Sequence, residues 1–320
     1  PRGRGRPAGT GRLKLDVVIP AYNRAELLEK AVTSLLAAPV PPELTRRILI
    51  VDNNSTDATP AVAARLAAAA PETVVSLTER EQGRSAALNA GIRASNAELV
   101  GFIDDDETVA PTWLSAVAAV MQDPDIGFLG GPVLGDWQIE PPDWLPSTYP
   151  AVIGVVNPGE APRDFGPDFP GILTGGNSVI RRDVLERVGL YSTALGRTAV
   201  GLRSGEDHDM YARLLRAGIR GRYVPELEVR HWIPAERLTK RYYRAWCYGH
   251  ALSRGQWLRG NREPVPYLAG IPRYSVGIAL RSLAALLLRA PLGKMTARER
   301  LERELELWNL AGLVKGRYFG

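Results

Sequence analysis

An α/β protein with a mostly parallel sheet flanked by helices is predicted by three features of the sequence. Short apolar runs alternate with segments of helical apolar spacing from Leu15 to Met121. The polar clusters fall directly after the apolar runs. The composition, 45% hydrophobic and 23% charged over 320 residues, is that of a globular chain able to bury one large core with an appendage.

The elements follow in order. "LDVVIP" (Leu15 to Pro20) reads as a buried strand, and "AELLEKAVTSLLAA" as the helix after it. "RRILIVD" (Arg46 to Asp52) and "TPAVAARLAAAA" form the second strand–helix unit, "TVVSLTE" and "SAALNAGIRAS" the third. "LVGFID" is a fourth strand, and "PTWLSAVAAVM" a helix with Pro111 near its first turn, where a missing N–H costs nothing. Such alternation implies parallel βαβ units with both sheet faces covered. Ligands of these sheets lie outside the carboxyl ends of the strands. Four polar clusters fall there: "AYNR", "DNNSTD", "EQGRS" and "DDDE". From Gly127 to Gly205 the periodicity weakens and longer loops with short mixed strands are expected. "SGEDHDMYARLLRAGI" starts a helix with acids in its first turn, where the helix dipole favours them. "RYVPELEVRHW" reads as a last strand leading to His231, and a tail rich in Arg, Tyr and Leu follows.

Charge is uneven. The first fourteen residues carry five cations and no acid, within a net charge of +5, and read as a solvated, disordered basic tail. The single cysteine, Cys247, excludes an intramolecular disulfide and a Cys-based zinc site, and suits a reducing, cytoplasmic compartment. No signal peptide is visible.

Asp104, Asp105, Asp106 and Glu107 crowd one strand end. Two carboxylates 4 Å apart repel by ~4 kcal/mol at an effective dielectric of about 20. Either the turn is solvated or something positive offsets the repulsion. In an extended strand Asp104 and Asp106 point one way and Asp105 the other, while Glu107 reads as the start of a helix.

Taken together, "VVIPAYNR", "VDNNSTDAT", "FIDDDE", "TGGNSVIRRDVLERVG" and "GEDHDMYARLLRAG" resemble the family 2 glycosyltransferases, with their GT-A fold, over about Leu15 to Trp232. The resemblance implies a metal-dependent, inverting transfer from a UDP- or dTDP-sugar to a hydroxyl acceptor: a glycan, a lipid-linked sugar or a small molecule. It makes Asp104 and Asp106 the Asp-x-Asp motif. Asp106 is the direct ligand of Mn²⁺ or Mg²⁺, Asp104 acts on metal, ribose or water, and Asp105 lies on the donor side. Such cations take one or two carboxylates plus substrate phosphates. Pro20, Tyr22 and Asn23 would wall the base pocket, and Asp52 would accept the pyrimidine imide proton or else cap its own turn. Gly83 and Arg84 lie on the approach to the donor, with Arg84 pairing either a phosphate or a neighbouring acid. Gly175, Gly176 and Asn177 of "TGGN" would line the sugar and acceptor side. Asp207 of "GED" would be the base that takes the acceptor's proton, with Glu206 positioning the acceptor; Asp209 is better explained by the helix start. His231 would approach the metal, ahead of His208 and His250.

Processive relatives carry Gln-x-x-Arg-Trp. Here Gln256 and Arg259 are followed by Gly260, so a single addition in polysaccharide or glycoconjugate synthesis is implied. The domains expected are a tail at 1–14, a catalytic domain at 15–232 and a helical extension at 233–320. In "RYSVGIALRSLAALLLRAPL", Arg281 and Arg289 interrupt any membrane span. The segment suits a helix lying on the inner face of a membrane, or one packed on the catalytic domain or a dimer mate. Two rivals remain at this level. A sugar nucleotidylyltransferase is suggested by "GTGRL", although its loop should follow the first strand. Nucleic-acid binding by "RGRGR" lacks interleaved aromatics and any recognition motif.

Overall fold

Strand β1 (Leu13–Ala21) is apolar on both faces. Leu15, Val17 and Ile19 enter one core cluster and Val18 another, as a sheet covered on both sides requires. The computed structural model describes residues 11–195 and 205–319. Residues 1–10, most of the expected basic tail and the start of "GTGRL", lie outside them. β1 opens at Leu13, inside the stretch read as tail, and what remains of "GTGRL" precedes it.

Among the described residues, the first unit comprises 11–134, 156–195 and 206–231. Its elements follow the sequence reading closely: α1 (Ala25–Ala37), β2 (Leu44–Asp52), α2 (Thr59–Ala69), β3 (Val74–Thr78), α3 (Arg84–Ala94) and β4 (Leu99–Ile103). A short β5 (Glu107–Val109) precedes α4 (Trp113–Met121). Then come β6 (Ile126–Gly130), β7 (Val133–Trp137), which leads out of this unit, β8 (Arg163–Asp164), β9 (Asn177–Arg181), α5 (Arg182–Val188), α6 (Glu206–Arg216), β10 (Arg220–Tyr223) and β11 (Val229–Ile233).

Among the described residues eight strands form one sheet, in the order β3-β2-β1-β4-β9-β6-β10-β8. The β3-β2-β1-β4 half is parallel, with Ala21 opposite Asp52 and Asp52 opposite Thr78. β9 enters antiparallel between β4 and β6, with Asn177 opposite Ile103. This register brings the "TGGN" segment against the carboxyl end of β4. Two expectations are corrected. Asp104 to Asp106 form a turn between β4 and β5, so strand alternation does not govern them, and Glu107 starts β5 rather than a helix. The "last strand" is two, β10 and β11, because Pro225 cannot continue a ladder. His231 lies within β11, opposite Glu107 of β5.

The second unit contains 135–155 in addition to residues from 232 onward. Its helices are α7 (Lys240–Trp257), α8 (Arg273–Leu288) and α9 (Ala297–Tyr318). α9 begins with a reciprocal cap: Thr296 Oγ accepts from the Glu299 N–H at 3.1 Å, and Glu299 Oε2 accepts from the Thr296 N–H at 2.8 Å. α7 and α9 approach at backbone contact. A Cβ at Gly312 would lie 2.2 Å from the Tyr248 carbonyl oxygen, and one at Gly316 2.0 Å from that of Leu252. Arg259 donates to the Gly316 carbonyl at 2.9 Å and so ties the end of α7 to α9. Cys247 is fully buried, and burial pushes its thiol up to about 12, so it is inert. Among the described residues no helix is long and apolar enough to cross a membrane.

Candidate active site

The carboxyl ends of β1, β2 and β4 converge with the starts of α3, β9 and α6. The loop after β1 is locked to the loop after β2. Asn23, at φ +51°, accepts from the Thr56 N–H at 2.7 Å, and the Asn23 N–H donates to Ser55 Oγ at 3.0 Å. Pro20 is buried in β1 and Tyr22 is half-buried. Asp52 is buried at the end of β2, where Oδ1 accepts from the Ser55 N–H at 3.3 Å. The turn-capping contact is therefore present. Asn53, which the sequence reading passed over, accepts from the Gly83 N–H at 2.8 Å and donates to the Glu79 and Glu81 carbonyls. This fixes the start of α3. Gly83 adopts φ +145°, a conformation that strains any side chain.

Arg84 is thereby aimed across the cleft. Its Nε and Nη2 donate to Asp104 Oδ1 at 3.0 and 2.7 Å. Its Nη1 reaches Asp207 Oδ1 at 3.2 Å and Glu206 Oε1 at 3.3 Å. One guanidinium thus joins the acidic turn after β4 to the acids that begin α6. Burial alone would disfavour its charge, but Asp104, Asp207 and Glu206 raise its pKa well above the ordinary arginine value.

Arg24 occupies the other side of the acidic turn. Its Nη1 pairs with Asp106 Oδ2, and its Nε lies 3.7 Å from Asp105 Oδ1. Asp105 Oδ2 also accepts from the Tyr22 N–H at 3.1 Å. Burial and the neighbouring Asp106 charge nonetheless push the Asp105 carboxyl up to about 8, against the opposing pull of Arg24. Glu107, buried on β5, is held well above the usual carboxylate range by burial and by Asp104 and Asp106. The repulsion expected from the sequence is real, and two arginines offset part of it. Arg24 was part of the quoted "AYNR" but was not singled out, because its partners lie more than eighty residues away.

His231 on β11 reaches the same turn, with Nε2 3.3 Å from Asp106 Oδ2. Gly175 and Gly176 press their backbone onto the acids. A Cβ at Gly175 would fall 2.0 Å from Asp207 Oδ1, and one at Gly176 2.6 Å from Glu107 Oε2 and 2.8 Å from Asp104 Oδ2. Asn177 differs from expectation. It is fully buried, accepts from Trp113 Nε1 at 2.9 Å and donates to the Pro132 and Leu227 carbonyls, so it ties strands together and does not face an acceptor. Asp209 pairs with Arg213 one turn on, at 2.9 Å. His208 is exposed, and His250 stacks on Trp246 in the second unit at 4.8 Å between ring centroids.

Among the described residues no three His, Cys, Asp or Glu side chains converge as a formed metal cluster. The donor chemistry nevertheless fits a hard divalent cation. Asp104, Asp105, Asp106, Glu107, Glu206 and Asp207 outnumber Arg24 and Arg84, and Asp106 is already paired with an imidazole. Carboxylate oxygen with imidazole nitrogen suits Mn²⁺, and carboxylate oxygen suits Mg²⁺.

The model of glycosyl transferase family 2 matches residues 16–189. The succinoglycan biosynthesis protein ExoM of Rhizobium meliloti is 27% identical over 242 residues, 73% of each chain. A glucosyl-dolichyl phosphate glucuronosyltransferase of Haloferax volcanii is 26% identical over 193 residues, 58% of each chain. In fold, the chain is similar to the mannosyltransferase PcManGT of Pyrobaculum calidifontis, solved with GDP-Man and Mn²⁺ (TM-score 0.61, 22% identity, 97% of this chain and 88% of that one). It is also similar to GalNAc-T7 solved with UDP, GalNAc and Mn²⁺ (TM-score 0.53, 19% identity, 77% and 51%).

Proposed function

The chain belongs to glycosyl transferase family 2 and is a glycosyltransferase of GT-A fold, and on that premise we propose a single, inverting transfer of one sugar from a UDP- or dTDP-sugar to an acceptor hydroxyl. The setting is polysaccharide or glycoconjugate assembly, in keeping with the similarity to a succinoglycan biosynthesis protein. The two solved neighbours hold different nucleotides, GDP-Man in one and UDP in the other. The pyrimidine preference therefore rests on this chain's own Asp52, with Pro20, Tyr22 and Asn23 around the base.

The observation that carries the proposal is the Arg84 fork, which holds Asp104 and Asp207 on one guanidinium. The acids assigned to the donor side and to the acceptor side thus meet on one side chain, which supports placing both partners of the transfer in this cleft. Asp207, whose side chain is 27% exposed, is open to an incoming hydroxyl, whereas Glu206 at 6% is not. Asp207 takes the hydroxyl proton as oxygen attacks the anomeric carbon. Gly175 limits the movement of its carboxylate. Glu206 anchors Arg84 from behind. Arg24 and Arg84 supply fixed positive charge for the donor diphosphate. Asp106, His231 and Asp104 would hold Mn²⁺ or Mg²⁺, which when bound offsets the charge that develops on the leaving diphosphate.

A thermal-shift panel of nucleotide-sugars tests this. A donor at 100 times its dissociation constant adds ~2.7 kcal/mol of stability, so UDP- or dTDP-sugars with Mn²⁺ should raise the melting temperature. Chelator or Asp106→Asn should abolish the rise. A shift indifferent to both would overturn the metal assignment.

A further inference from the structure

Helix α8 of the second unit exposes one apolar side among the described residues. Its inner side is marked by the buried Ala279 and Ser282. Its outer side presents Leu280, Leu287 and Leu288, followed by Leu292 just past the helix end, each between 61% and 68% exposed. Leu283, at 42%, completes the same face. At 3.6 residues per turn, positions 280, 283, 287 and 288 form one stripe.

The charges within the segment that carries this stripe have one sign. From Pro264 to Arg298 the chain has no Asp or Glu, and it has five cations: Arg273, Arg281, Arg289, Lys294 and Arg298. Arg273, Arg281, Arg289 and Lys294 are all exposed; Arg289 also lies 4.0 Å from Glu299. A second copy of the chain docked through this face would set cations against cations. An anionic surface complements them, and a fluid apolar layer beneath it would take the leucines.

We infer that α8 is an interfacial helix that seats this enzyme on an anionic phospholipid surface. The leucine stripe enters the acyl boundary, and the arginines and lysine meet the headgroup phosphates. The helix lies on the membrane and does not cross it, consistent with its length and its flanking charges.

The test uses the full chain with vesicles of phosphatidylcholine, alone or mixed with phosphatidylglycerol, in a flotation assay. Binding should be strong on mixed vesicles and weak on phosphatidylcholine alone. It should fall when salt rises from about 0.05 to about 0.5 M, which shortens the Debye length well below 10 Å. The double variant Leu287→Ser/Leu288→Ser should lose at least about tenfold in partitioning, since each leucine removes several buried methylene equivalents. Arg281→Gln should lose about fivefold, the change expected for one basic residue at an anionic surface. Both variants should keep the parent's melting temperature and its nucleotide-sugar response, so failure here is separable from failure of the catalytic reading. The inference is overturned if the unmutated chain ignores mixed vesicles at low salt. It is equally overturned if the leucine variant binds as the parent does, which would assign the binding to the basic N-terminal segment. A leucine-dependent dimer without vesicle binding, seen by light scattering, would also overturn it.

Discussion

Arg84 decides what the neighbouring acids can do. It touches Asp104, Glu206 and Asp207 at once, so these three are held in one geometry by one side chain. Of the two acids that begin α6, Asp207 combines that restraint with access from outside, and Glu206 does not. Asp207→Asn nearly preserves shape but cannot accept the acceptor's proton. Turnover is expected to fall by about 10²–10⁴, the usual contribution of a general base, with the donor dissociation constant changed little. Glu206→Gln should cost less. Steady-state kinetics beside calorimetric donor binding checks both, and near-normal turnover of Asp207→Asn would remove it from the role. The resemblance of "GED" to a family motif directed attention to this acid, and the structure adds its pairing with Arg84. The sequence did not expose Arg24, whose partners are distant in the chain, nor the burial of Asn177, whose amide meets a tryptophan and two carbonyls from other segments. A polar residue beside two glycines looks like a ligand contact until its neighbours in space are known.

The elements were legible to the extent that their hydrophobic period was clean. β1 to β4 and α1 to α4 are apolar on schedule, and their loops end up on one rim. The reading failed at turns. The Asp104–Asp106 segment keeps no strand period, and Pro225 splits what looked like one strand into β10 and β11. The glycine seam between α7 and α9 joins segments about sixty residues apart, so no local signal announced it. One element-level contact has a measurable pH signature. Asp16 on β1 is buried and accepts from Arg47 of β2 at 2.9 and 2.7 Å. Burial by itself would raise its pKa, but hydrogen bonds from Arg47 and Ser95, together with the Arg47 charge, hold it below the ordinary carboxylate value. A depressed native pKa stabilises the fold above the unfolded-state value of about 3.9, and that contribution is lost as pH falls through the native value. Urea unfolding across pH 7 to 3 should show this acid loss in the parent. Asp16→Asn should be weaker by about 2 kcal/mol at neutral pH, since Arg47 is partly solvated, and should show a flatter acid limb. Equal acid limbs would rule the contact out as the cause.

At the scale of the whole molecule, the chain combines a family 2 catalytic unit with a helical unit whose α8 carries leucines and cations outward. The catalytic unit brings the acidic turn after β4 and the acids that begin α6 onto one arginine, and the transfer proposed there is an attack from the face opposite the leaving diphosphate. Hydrolysis of the donor needs no knowledge of the natural acceptor, because water can stand in for the hydroxyl. The most direct measurement is therefore proton NMR of the sugar first released from a Mn²⁺-loaded α-linked UDP- or dTDP-sugar, chosen as the best stabiliser in the thermal-shift panel. The β-anomer should appear first and relax to the equilibrium mixture, and Asp207→Asn should slow its appearance. Initial release of the α-anomer, or release at the same rate without Asp207, would contradict an inverting displacement assisted by that carboxylate.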